Sequence, residues 1–145
     1  GYYEDERVKA LHEDNAWIGE AEGHVVKVIS YQLKHLPNDH EYSIIFMERN
    51  ISEVLASQKK MMIRRGEPSD DVPDGLMTGI FQKHLDETYA WLSTQPNMKV
   101  LYISYNDSLK EPELTVTQVN MFLGGIMDTK KMMPIVDSSL YRQRK

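Results

Sequence analysis

The sequence predicts an α/β domain of three layers, with helices on both faces of a mainly parallel sheet. Three observations carry that expectation. Three short runs rich in β-branched and aromatic residues, HVVKVI (24–29), YSIIFME (42–48) and KVLYISY (99–105), alternate with segments of helical periodicity. The middle run does not alternate apolar with polar residues, as befits a strand buried on both faces. Strands that alternate with helices pair in parallel through right-handed crossovers. A length of 145 residues suits a single domain, 1–145, with 41% hydrophobic residues to fill its core.

Residues 4–14, EDERVKALHED, read as a short helix with Val8 and Leu11 on one side. Its first turn is acidic, which suits the positive end of the helix dipole. HVVKVI then predicts the first strand, and SYQLKHLP a short helix stopped by Pro37. Asn38-Asp39 is turn chemistry before the strand at 42–48. Asn50 is a good N-cap, and Glu53 three positions on has capping-box spacing. Ile51, Val54, Leu55 and Met62 give the following helix an apolar stripe, and Gly66 marks its end. A polar loop, 67–75, leads to a helix from about 75 to Pro96, with Leu76, Ile80, Phe81, Leu85, Tyr89 and Leu92 at helical spacing. After the strand at 99–105, Thr115 and Gln118 repeat the capping-box spacing and predict a last helix that Gly124-Gly125 ends.

Composition excludes several classes. A net charge of −5 argues against bulk attraction to nucleic acid or an anionic membrane, so neither is an expected partner. The longest apolar runs span a few residues, far short of the ~20 a membrane helix needs. No charged segment followed by an apolar stretch marks a secretion signal, which leaves the cytoplasm as the default location. With no cysteine there are no disulfides or thiolate metal sites. The five histidines show no zinc-ligand spacing, so no metal is expected. Lys59, Lys60, Arg64 and Arg65 read as a solvated basic face at a helix end. His84 lies on an apolar stripe and reads as a core residue.

In parallel α/β sheets ligands lie beyond the C-terminal ends of the strands, where Arg49 and Tyr105 both fall. Ser57 follows Arg49 by eight positions, and Asn50 to Ser57 is roughly 10 Å of helix rise. Arg49 laid back along the helix would meet the Ser57 hydroxyl over a shared anion. A planar guanidinium donates two parallel bonds to phosphate. A bond to a charged partner is worth roughly 1.5–3 kcal/mol and a neutral one roughly 0.5–1.5 kcal/mol, so the arginine would dominate. On spacing alone, a solvated strand-end arginine and an unrelated mid-helix serine remain open.

The stretch YSIIFMERNISEVLASQKKM, 42–61, resembles the 3′-phosphate-binding segment of P-loop-type sulfotransferases: a strand, an arginine, then a helix carrying serine eight positions on. VLYISYNDSLKEP (100–112) is similar to the family's strand ending in tyrosine, and KVISYQLKHLP (27–37) precedes the arginine strand as in the family. The opening GYYEDERVKAL and the closing DSSLYRQRK resemble bacterial sulfotransferase-like proteins, so the resemblance spans nearly the whole chain. It implies a P-loop NTPase-like fold. It also implies an enzyme that moves a sulfuryl group from 3′-phosphoadenosine 5′-phosphosulfate, PAPS, to a hydroxyl or amine of a small acceptor. It assigns Arg49 and Ser57 to the 3′-phosphate and Tyr105 to the adenine. Lys27 would stabilise charge on the leaving phosphate. At the position of the family's catalytic histidine stands Ile29, and Glu4, after Tyr2-Tyr3, is the candidate base instead.

The family's N-terminal strand, Gly-rich phosphate loop and helix have no counterpart before Arg49. Such a loop cradles the 5′-phosphosulfate with backbone amides. The resemblance therefore implies a fold incomplete at its N-terminus, a fragment or trimmed form that holds half a cofactor site and is inactive alone. An open sheet edge would need cover, for which a homo-oligomer is one means. The alternative is a non-catalytic interaction or assembly module that keeps the fold. A small-molecule kinase would need a Walker-type loop, and the arginine–serine spacing speaks against it.

Overall fold

The computed structural model describes residues 4–67, 73–136 and 139. Two parallel strands form its sheet, β1 (Tyr42–Glu48) and β2 (Met98–Ser104), in register from Tyr42↔Met98 to Glu48↔Ser104. Between them run α1 (Ile51–Arg65) and α2 (Asp74–Thr94), and after them α3 (Tyr105–Lys110), α4 (Pro112–Phe122) and α5 (Thr129–Met132). The N-terminal segment winds through three 3-10 turns, Glu6–Ala10, Ala16–Ala21 and Ser30–His35. The result is a mixed α/β chain whose parallel sheet has two strands among the described residues rather than three.

The missing strand is the one expected at 24–29, which is irregular instead. Val25 is 91% exposed and Ile29 faces solvent too, while Val26 and Val28 pack partly against the core. β-Branched residues favour a strand only where a pleated neighbour takes their side chains, and this segment pairs with none. The helix expected at 4–14 is the single 3-10 stretch Glu6–Ala10 with turns after it. Asp5 caps it, accepting from the Arg7 amide at 3.0 Å and the Arg7 guanidinium at 2.8 Å. Its inward residues behave as the sequence predicts: Val8 and Leu11 are 0% and 1% exposed, in one cluster with Trp17 and Ile18.

β1 occupies the predicted residues but is not buried on both faces: Phe46 is buried, whereas Ser43 and Met47 on the opposite face are exposed, since no layer among the described residues covers them fully. Phe46 and Ile44 of β1 meet Leu92, Leu85 and Tyr89 of α2 and Val100 of β2 in a second cluster, anchored on the N-terminal side by Leu33. The other face of β2 buries Ile103, and α4, with its buried Val116, packs on that strand. α1 starts at the Asn50 cap, whose side chain accepts from the Ser52 amide at 3.0 Å. It ends at Gly66, whose φ of 69° is the left-handed turn that glycine makes without Cβ strain. α2 ends at Thr94, two residues before Pro96.

Two boundaries differ from the sequence pattern. α4 begins at Pro112, not Thr115, whose amide bonds the Glu111 carbonyl at 3.2 Å inside the helix. Proline at the first helical position presets φ and loses no hydrogen bond there, so it starts the helix earlier. Tyr105 opens α3 rather than closing β2, because the Ser104 hydroxyl accepts from the Asp107 amide at 3.2 Å and caps the turn. Tyr2-Tyr3, most of the loop 67–75 and the tail 137–145 apart from Ser139 lie outside the described residues. No helix among the described residues is long and apolar enough to cross a membrane.

Candidate functional site

β1 and β2 end as a register pair, Glu48 opposite Ser104, so Arg49 and Tyr105 leave the sheet side by side. The Arg49 guanidinium carbon lies 4.7 Å from the centre of the Tyr105 ring, within range of a cation–π contact. Arg49 Nε donates to Glu53 Oε2 at 3.1 Å. That carboxylate is 4% exposed and the arginine side chain 25%. Asn106, next to Tyr105, brings its Nδ2 to 3.4 Å from both Glu53 oxygens. One buried carboxylate thus ties the head of α1 to the head of α3, beneath an arginine stacked on tyrosine.

The capping-box expectation is altered at the head of α1: the Asn50 side chain accepts from the Ser52 amide rather than from the Glu53 amide, and the Glu53 carboxylate pairs with the cation four residues before it. The guanidinium–carboxylate bond joins two full charges, and the Asn50 side chain is occupied by the Ser52 amide and hydroxyl. Glu53 is also the one buried residue of α1, whose apolar stripe is only partly covered.

Ser57 lies one turn beyond Glu53, exposed, about 6 Å further along the helix. Positions four apart share a face, so Ser57 follows Glu53 on the side from which Arg49 is held. Arg49 and Tyr105 are brought into contact, and Ser57 belongs to the same helix face. Lys27 and Glu4 sit in the N-terminal segment: Lys27 is exposed in the irregular stretch before Ser30–His35, and Glu4 is half-buried ahead of the first 3-10 turn.

Beside Arg49 a cavity of about 280 Å³ opens between the end of β1 and helices α1 and α2, lined by Phe46, Ile51, Val54, Leu85 and Tyr89 among others. At its edge the Tyr89 hydroxyl donates to Glu48 Oε2 at 2.8 Å. Burial, and then this bond to a carboxylate, push the Tyr89 phenol well above its ordinary range, so it stays a donor. A larger cleft, about 690 Å³, lies at the opposite end of the sheet beside Met98. Among the described residues no cluster of three or more His, Asp or Glu is arranged to hold a metal ion.

Sequence reasoning missed Glu53, Asn106, Glu48 and Tyr89 as parts of this site. Glu53 carried a signal, its position four after Arg49. The contacts of Asn106 and Tyr89 span 53 and 41 residues, and depend on the tertiary fold.

Chemically, the arrangement is an oriented, partly shielded guanidinium at two parallel strand ends, with an aromatic face below it and a hydroxyl one turn beyond its carboxylate partner. Such a guanidinium binds oxyanions, against competition from Glu53. No family model, no curated protein and no solved structure matches this chain.

Proposed function

We propose that this chain carries the 3′-phosphate half of a PAPS site, within a cytoplasmic sulfotransferase of P-loop type. The observation that supports this is the Arg49–Tyr105 stack at paired strand ends, with Ser57 following on the adjoining helix. In this reading Arg49 and Ser57 hold the 3′-phosphate and the Tyr105 ring lies along the adenine. An acceptor oxygen attacks sulfur, the bond from sulfur to the 5′-phosphate oxygen breaks, and adenosine 3′,5′-bisphosphate leaves. Glu4 takes the acceptor proton and Lys27 meets the charge that builds on the leaving phosphate. The acceptor is a small molecule with a hydroxyl or amine. The cradle for the 5′-phosphosulfate is not supplied by the residues before Arg49.

The test is calorimetry with adenosine 3′,5′-bisphosphate and adenosine 5′-monophosphate, which differ by the 3′-phosphate. The bisphosphate is expected to bind tighter. Arg49→Ala should shrink that preference roughly 10- to 150-fold and Ser57→Ala roughly 2- to 10-fold. Equal affinity for the two nucleotides, or a folded Arg49→Ala protein that keeps the preference, overturns the reading.

One observation favours a second reading, an assembly module without activity. β1 and β2 pair only with each other among the described residues, so each presents an outer edge. That reading expects a homo-oligomer in sedimentation velocity and no nucleotide binding, and a monomer that binds the bisphosphate removes it.

A further inference from the structure

The cleft at the N-terminal end of the strands brings together two histidines that are 23 residues apart. His12 lies in the turn after Glu6–Ala10, and His35 is the last residue of Ser30–His35. Both line the cleft. Their backbones are held firmly. Leu11, beside His12, is 1% exposed in the N-terminal core, and Leu33, two residues before His35, is buried against Phe46 and Leu92. The Asn15 side chain donates to the His35 carbonyl at 2.9 Å and ties the two segments directly.

The two imidazole centres are 5.9 Å apart, with planes tilted by 56°. That separation has a meaning for metal chemistry. With a metal–nitrogen bond of roughly 2.0–2.1 Å and the nitrogen about 1.1 Å from the ring centre, a ligating ring is centred about 3.2 Å from its metal. Two such rings are about 5.2 Å apart at a tetrahedral angle and about 6.4 Å apart when they oppose each other across the ion. The observed spacing falls inside this interval, which tilted ring pairs at roughly 4.5–7 Å also share, so it leaves room for an ion between the two imidazoles.

We propose that His12 and His35 form a two-imidazole chelate for a divalent transition-metal ion at the mouth of this cleft. Imidazole suits copper, nickel and zinc, and copper(II) binds tightest in the usual order. Glu13 Oε1 lies 3.4 Å from His12 Nε2, and Asp39 lines the same cleft, so carboxylates offset the nearby Lys34. Among the described residues no third side chain completes a protein cage, and water fills the remaining positions on the side open to the cleft. The site is independent of Arg49 and of any nucleotide.

Copper(II) titration of the whole chain tests it, read by calorimetry and by pulsed electron paramagnetic resonance, which counts coordinated imidazoles. One site with two imidazole nitrogens is expected. His12→Gln and His35→Gln should each weaken it at least 10-fold and leave a one-imidazole spectrum. His24→Gln, a histidine outside the cleft, should change neither. Both cleft histidines are at the surface, and circular dichroism verifies that the variants fold. A one-imidazole spectrum in the parent chain, or unchanged affinity in either cleft variant, overturns the proposal.

Discussion

Arg49→Ala removes a cation from a carboxylate that is 4% exposed. Breaking a buried pair by deleting one partner costs about 3–5 kcal/mol, because the remaining charge is left desolvated. Two features of this site lower that figure. Arg49 is itself 25% exposed, so the pair is buried on one side only. Asn106 stays within 3.4 Å of both Glu53 oxygens. The expected cost is therefore about 2–3 kcal/mol, which at about 4 °C per kcal/mol lowers Tm by about 8–12 °C. Glu53→Ala should cost less, about 1–2 kcal/mol, since the stranded guanidinium reaches water and stacks on Tyr105. The double variant then has no unpaired charge to bury, and should cost about as much as Arg49→Ala alone. Urea denaturation of the four proteins measures the coupling, expected near 1.5 kcal/mol with the m value unchanged. Costs that add to within about 0.5 kcal/mol would show that the two side chains act independently and refute the argument.

His84 gives a pH dependence. Burial lowers its pKa, against a smaller opposing pull from Glu87, and the charge of Lys34 adds a lesser lowering. A histidine whose folded pKa is depressed takes its proton more readily when unfolded. Its contribution is therefore intact above the ordinary pKa of about 6.5 and declines as pH falls below it. Tm followed by circular dichroism should drop between about pH 7 and 5, and His84→Gln should flatten the drop. Asn50→Ala deletes the cap of α1 and should cost about 1 kcal/mol in urea denaturation. Tyr89→Phe removes the 2.8 Å bond to the Glu48 carboxylate and should lower the unfolding free energy in urea by about 1.5–3 kcal/mol without changing m.

The elements legible in the sequence were those whose local and tertiary signals agree. β1 is rich in apolar and β-branched residues and pairs along its whole length with β2, while Ile44 and Phe46 on one face pack into a buried cluster. α1 has Asn50 before it and a left-handed Gly66 after it, and both ends fall where the residues place them. The segment 24–29 has the composition of a strand, yet pairing is a tertiary event that composition does not contain. Thr115 and Gln118 satisfy a spacing rule, but Pro112 three residues earlier starts the helix by a stronger one. At the candidate site the positions of Arg49 and Tyr105 followed from strand ends alone. Their contact required the register that sets Glu48 against Ser104, and the buried role of Glu53 required the sequence to reveal which face of α1 the chain after β2 would meet, where Asn106 now lies.

The pair at the head of α1 is a poor device for stability. Taking two charges out of water costs several kcal/mol each, and attraction between them returns little more than that. An apolar pair of similar volume, Arg49→Met with Glu53→Leu, should therefore hold the fold as well or better, by up to about 1–4 kcal/mol. Stability then does not account for a charged pair here, at the point where two parallel strands end and ligands of such sheets sit. What the charged pair does and the apolar pair does not is present an oriented guanidinium, held by Glu53 on one side and by the Tyr105 ring on the other. The double apolar variant separates the two roles in one protein. It should match or exceed the parent in urea denaturation and lose its preference for a nucleotide bearing a 3′-phosphate. If it instead unfolds more easily by about 2 kcal/mol or more, the pair is a structural clamp, and a stability role would explain Arg49 without any ligand.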